Sequence, residues 1–134
     1  MPVLADHIDH IVLTVSDIEV SLQFYERALG FTRELFRGPD GQLRYALRFG
    51  AQKINLQDRR TETPTKARQP TVGSGDFCLI AAVPLAAVVA HLEATGIAIE
   101  TGPVPRRGAR GPLTSVYVRD PDGNLVEIAE YAPS

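Results

Sequence analysis

Glu127 interrupts an apolar run. In VYVRDPDGNLVEIAEY, residues 116–131, it stands between Val126 and Ile128, shortly after the turn Asp120-Pro121-Asp122-Gly123-Asn124. A carboxylate buried there without a partner would be costly or would take up a proton, so the chain has to supply a partner or a solvent-filled cleft. Candidate partners lie far away in sequence: His10 in IDHIVLTV, Asn55 or Gln57 in KINLQ, and Asp76 in DFCLIA. An imidazole with carboxylates and neutral oxygen donors, leaving coordination positions open, suits a divalent ion such as manganese, iron, nickel or zinc. Such an ion chelates two adjacent oxygens of a small substrate and acts as a Lewis acid on an enediolate or oxyanion. Glu127 is the natural group to move the accompanying proton, with Asp76 second.

The elements that must position these groups are written in the hydrophobic pattern. Ile8–Val15 alternates as a strand, with Ile11, Leu13 and Val15 on one side and His10 and Thr14 on the other. Ser16-Asp17-Ile18-Glu19 reads as an S-x-x-E capping box, Ile18, Leu22, Tyr25 and Leu29 as a helical stripe, and Gly30 as its stop. Phe31–Phe36, Leu43–Phe49 and Lys53–Gln57 follow as strands. The order then repeats: a strand Asp76–Ala81, a helix opened by Pro84 in its first turn and ended by Gly96, and strands Ile97–Thr101, Leu113–Arg119 and Leu125–Tyr131. His10 precedes Gly30 by 20 residues, and Asp76 precedes Gly96 by the same 20. Shared spacing and shared order point to a duplicated βαβββ module and an α+β fold. Module one covers about 7–58, a polar linker 59–75, and module two about 76–131, together making one domain. Alternation sends His10, Asn55, Gln57, Asp76 and Glu127 away from the helices, where two curved sheets would bring them to one cleft.

The composition narrows the function classes. A chain of 134 residues with 44% hydrophobic residues and a net charge of −2 is an ordinary globular domain, with no electrostatic case for nucleic acid or anionic membrane. Its longest apolar run, about Phe77–Val89, is broken by Pro84 and is too short to span a bilayer. MPVLADHIDH carries no secretory pattern, and a lone cysteine fits a reducing compartment, so a cytoplasmic protein is expected. Cys78 reads as a small core residue, and His7 and His91 as solvated surface residues. The stretch Gly102–Pro112, GPVPRRGARGP, reads as a solvated basic loop, or alternatively as a mobile lid whose Arg106, Arg107 or Arg110 meets an anionic substrate.

IDHIVLTVSDIEVSLQFYERALGF, followed much later by YVRDPDGNLVEIAEY, resembles the vicinal oxygen chelate superfamily, which includes glyoxalase I, fosfomycin-resistance thiol transferases, extradiol dioxygenases and bleomycin-binding proteins. KINLQ, PTVGSGDFCLI and GPVPRRGARGP are similar to its glyoxalase domain-containing protein 5 branch. The resemblance implies paired βαβββ modules around a metal cleft, often completed in a homodimer. By position it makes His10 and Glu127 metal ligands. It places Asp76 where a ligand histidine is usual, Asn55 where a glutamate is usual, and Gln57 where close relatives carry histidine. It implies a substrate contact for Tyr117. The expected activity is a metal-dependent lyase or isomerase acting on a small α-oxygenated compound. The alternatives are a drug-sequestering binding protein, against which the absence of tryptophan counts, and a dioxygenase, against which the missing second histidine counts.

Overall fold

The computed structural model describes residues 3–133. The chain divides into two compact units between Val72 and Gly73. The first contains β1 (His10–Thr14), α1 (Ile18–Leu29), β2 (Thr32–Arg37), β3 (Leu43–Phe49) and β4 (Gln52–Gln57). The second contains β5 (Asp76–Ile80), α2 (Leu85–Ala94), β6 (Thr101–Gly108), β7 (Gly111–Arg119) and β8 (Leu125–Tyr131). The two sheets have the same strand order, β1-β4-β3-β2 and β5-β8-β7-β6. In each, the first and last strands of the module pair in parallel and the other neighbours pair antiparallel. The expected α+β fold of two βαβββ modules is present, and β4 and β8 hold equivalent places, each flanked on both edges.

Local chemistry sets the element ends. The N-cap of α1 is Asp17, one residue later than the capping-box reading: its backbone is extended and its carboxylate accepts the Val20 N–H. Glu19, assigned to the box, instead takes an ion pair with Arg33 of β2. Gly30 ends the helix in the left-handed region at φ 67°, donating its N–H to Glu26 O. Pro84 is the N-cap of α2 and offers no side-chain acceptor. Glu130 of β8 fills that role by accepting the Leu85 N–H at 3.2 Å.

Each helix covers one face of its own sheet. In the first unit Leu13, Leu47, Ile54 and Leu56 are buried with Leu22 and Tyr25 of α1. Tyr25 stacks on Phe31, and Phe31 on Phe49 at 4.5 Å between ring centres. In the second, Val116, Val118, Val126 and Ile128 are buried with Leu85, Val88 and Leu92 of α2. Among the described residues no helix is long and apolar enough to cross a membrane.

Three expectations change. Ile97–Thr101 is not a strand; the strand in that part of the module is β6, Thr101–Gly108, which forms a hairpin with β7. The stretch Gly102–Pro112 is therefore sheet and hairpin turn rather than a loop or lid. The sequence hides this because Pro103 and Pro105 read as strand breakers, yet β6 is an edge strand, where a missing N–H is tolerated. Gly102 is required there, since a Cβ would lie 2.4 Å from Ser115 O. Finally, the segment after β4 belongs to the first unit and is pinned to it. Asp58 accepts the Arg60 N–H at 2.8 Å, and Arg44 donates to Glu62 O at 3.0 Å.

The turn into β8 is a buried polar knot. Asp120 accepts the backbone N–H groups of Asp122 and Asn124 and the Asn124 side-chain amide, all at 2.8–2.9 Å. Asn124 Oδ1 in turn accepts the Gly75 N–H at 2.7 Å. Asp120→Ala leaves these buried donors unmatched and should destabilise the fold by about 1–3 kcal/mol, measured by urea unfolding. A second prediction concerns Arg33, which ties β2 to α1 by donating to Glu19 and Glu26 at 2.7–3.1 Å. Its hydrogen bonds hold both carboxyls below their usual 4.5. The stabilisation is complete above that pH and lost as pH falls through the lowered values. Arg33→Ala should therefore lower Tm at pH 7, and the gap to the parent should narrow as pH falls below the usual carboxyl range and through the lowered values.

Candidate functional site

The open face of the second sheet is built around Glu127. In β8 its neighbours Val126 and Ile128 turn to α2, so Glu127 turns the other way and is half-buried. Across the strands it pairs with Cys78 of β5 on one edge and Tyr117 of β7 on the other. The buried Ser115 donates its hydroxyl to Glu127 Oε2 at 2.6 Å, a short, charge-assisted bond. That bond fixes the carboxylate, and the Cys78 thiol is hydrogen-bonded to it from the neighbouring strand. Tyr117 is held in turn, its oxygen accepting Arg106 Nε–H at 3.0 Å with the guanidinium 5.4 Å from the ring centre. Asp76 pairs with Leu125, one pleat (about 7 Å) along from the level of Glu127, on the same face.

Cys78 is not a core residue; it is exposed on this face. Partial burial of its sulfur and then the adjacent Glu127 carboxylate push the thiol up to about 11. At neutral pH it remains protonated and is no nucleophile.

On the open face of the first sheet, His10 Nδ1–H donates to Asp9 Oδ2 at 2.8 Å. This bond holds the Asp9 carboxyl below its usual range. It also sets the tautomer in which Nε2 carries the lone pair, the arrangement a metal ligand or proton acceptor needs. Lys53 lies opposite His10 in the register, but its ammonium is drawn off toward Glu34 at 3.5 Å and the Phe36 ring at 4.1 Å. Asn55 pairs with Val12, and Gln57 with Thr14, to which it donates a hydrogen bond at 3.0 Å. Both amides line a concavity of about 140 Å³.

The predicted ligand set has suitable donor chemistry, an imidazole with carboxylates. Its geometry is another matter: among the described residues no three His, Cys, Asp or Glu side chains gather as a metal-holding group. Gln57 cannot share an ion with His10, because its level on the sheet is four residues along, about 13 Å. Its place is in the concavity. Arg110 also lies away from Glu127. It sits in the β6–β7 turn with its guanidinium over the Tyr131 ring at 4.4 Å, and Tyr131 is four residues along β8 from Glu127. The arginine at this face is Arg106. Asp9 and Ser115 were not among the sequence candidates. Adjacency to His10 was the only signal for the first, and the parity shared with Tyr117 the only one for the second.

A sequence model of the Glyoxalase/Bleomycin resistance protein/Dioxygenase superfamily matches residues 7–128. The chain is 51% identical over 128 residues to virulence protein STM3117 of Salmonella typhimurium, covering 96% of this chain and 86% of that one. The crystal structure of that protein superposes with a TM-score of 0.88 at 48% identity, covering 97% of this chain and 100% of the other. Glyoxalase domain-containing protein RDO1 of Mycosarcoma maydis is 44% identical over 124 residues, 92% of this chain and 68% of that protein. The crystal structure of lactoylglutathione lyase from Agrobacterium tumefaciens superposes with a TM-score of 0.69 at 28% identity, covering 95% of each chain.

The pairing of Cys78 with Glu127 has a chemical readout. The single thiol should react slowly with iodoacetamide at pH 7.5 to 8, and Glu127→Gln should accelerate the reaction severalfold, because removing the neighbouring charge lowers the thiol pKa. Mass spectrometry of the alkylated protein over time measures both rates; equal rates would show that the carboxylate does not act on the sulfur.

Proposed function

Because the chain belongs to the Glyoxalase/Bleomycin resistance protein/Dioxygenase superfamily, we propose that it is a glyoxalase-like lyase or isomerase acting on a small α-oxygenated compound. The observation that carries this reading is Glu127 on the open face of a doubly flanked strand, held by Ser115 and flanked by Tyr117 and Cys78. Such a carboxylate takes a proton from the carbon beside a carbonyl and returns it to the neighbouring carbon or oxygen. Ser115 keeps it oriented through both transfers. Tyr117 accepts from Arg106, so its own O–H is left to donate to the oxyanion that develops as the proton leaves.

A divalent ion belongs to the same proposal on donor type alone: His10 in the first unit and Asp76 and Glu127 in the second are the side chains offered as its ligands. Such an ion would supply Lewis-acid polarisation of a substrate oxygen. Assembly as a homodimer and a cytoplasmic location belong to the same reading. A second reading, a non-catalytic small-molecule binder, is favoured by the amide-lined concavity in the first unit.

Exchange of the α-protons of hydroxyacetone in D2O, followed by proton NMR, tests the reaction. Protein reconstituted with manganese, iron, nickel or zinc should catalyse exchange with at least one of them. Glu127→Gln should slow it by about 10²-fold or more, the usual weight of a general base. His10→Ala should lose stoichiometric metal by elemental analysis while keeping its thermal unfolding. No exchange with any metal, or equal exchange by Glu127→Gln, would leave the binding reading in its place.

A further inference from the structure

Arg48 meets Glu34 on the first sheet, and Arg119 meets Glu100 on the second through two bonds at 3.0 and 3.1 Å. Arg106 behaves differently. Register puts it opposite Leu113, which shares the open face of β7 with Ser115 and Tyr117. Its side chain turns back along the sheet. Nε–H donates to the Tyr117 oxygen at 3.0 Å, and Nη1 to Pro105 O at 2.9 Å. The residue is exposed, and among the described residues it takes no carboxylate partner. The two N–H groups of Nη2 are uncommitted.

An acid nevertheless stands on the same face. Glu127 is an anion held by neutral donors, the Ser115 hydroxyl and the Cys78 thiol. Arg106 is a cation held by a neutral acceptor, the Tyr117 phenol. The sheet order β8-β7-β6 puts Tyr117 between them, so the two charges flank one tyrosine and do not quench each other. A guanidinium bound to a phenol in this way presents its outer edge to an anion from solution, in the planar geometry that suits a carboxylate. Arg110 is the internal comparison. It belongs to the same hairpin and carries the same charge, but it lies over the Tyr131 ring, and Tyr131 is four residues along β8 from Glu127, about 13 Å.

We infer that Arg106 sets the specificity of the second unit's open face for a small anionic substrate, a 2-oxo acid whose carboxylate it holds. In such an acid the carboxylate, the carbonyl and the acidic C–H follow one another. Arg106, Tyr117 and Glu127 follow one another in the same order across β6, β7 and β8. The inference rests on the proposed reaction for the role of Glu127 and adds the charge of the substrate. Glu127 takes the proton from C3, the C–H electron pair forms the C2–C3 double bond, and the carbonyl pair moves to the oxygen, where the Tyr117 O–H meets it. Return of the proton to C3 restores the acid, and its delivery to oxygen gives the enol, so no other reactant is consumed.

Pyruvate and pyruvamide have the same shape and differ by one charge, which makes them the probes. Binding is followed on the whole 15N-labelled protein through its arginine Nε–H signals and backbone amides. Pyruvate should give saturable shifts at Arg106 and Tyr117 and bind about tenfold more tightly than pyruvamide, the weight of a hydrogen bond to a charged group. Added salt should weaken pyruvate alone. Arg106→Gln should bring pyruvate down to the affinity of pyruvamide and leave pyruvamide unchanged. A role confined to positioning Tyr117 would weaken both ligands alike. Arg110→Gln should bind as the parent does. Absence of saturable shifts with pyruvate, equal affinity of the parent for both probes, equal loss of both in Arg106→Gln, or the same loss in Arg110→Gln would overturn the inference. The expected binding pattern without deuterium exchange at C3 of pyruvate would overturn the proposed reaction and leave the anion site standing.

Discussion

The constraint on which both units depend is that β4 and β8 are paired on both edges. Their backbone groups are used by neighbouring strands, so variety is left only to the two faces. One face goes under a helix and is apolar: Ile54 and Leu56 in β4, Val126 and Ile128 in β8. A slip of one residue would bury Glu127 and expose Val126, reversing every side chain at once. The polar knot of Asp120, Asn124 and Gly75 stands at the entry to β8 and pins that register. The position of the carboxylate thus follows from hydrophobic burial on the opposite face, with no interaction of its own needed to place it.

The same parity explains what the sequence disclosed. His10, Asn55, Asp76 and Glu127 were assigned to the open faces because they interleave with apolar neighbours, and the strands bear this out. The duplication was legible because Gly30 and Gly96 both stop a helix at positive φ, where glycine is strongly favoured. What stayed hidden was hidden for physical reasons. β6 carries two prolines and begins with a bulge between Thr101 and Val104, so its composition argues against strand while its edge position permits it. Ser16 and Asp17 are both good caps, and the choice between them turns on which side chain reaches the Val20 N–H. Asp9 acts through a contact to the adjacent His10 and leaves no periodic trace.

The two units have the same frame and have been put to different chemical use. Asn55 and Glu127 occupy equivalent places on equivalent strands: Asn55 pairs with Val12 and Ala46, Glu127 with Cys78 and Tyr117. Ser115 stands two residues before Tyr117 and supports the carboxylate. The equivalent place in the first unit, two residues before Ala46, is Arg44, whose guanidinium is committed to Asp40 and Glu62. A carboxylate at position 55 would therefore sit between Val12 and Ala46 with no donor turned toward it, and burial would drive it to the neutral acid. An amide carries no such penalty of charge. The acid is sustainable only in the unit that retains a hydroxyl donor beside it. That difference in one supporting residue leaves a hydroxyl-supported carboxylate on one open face and a neutral amide on the other.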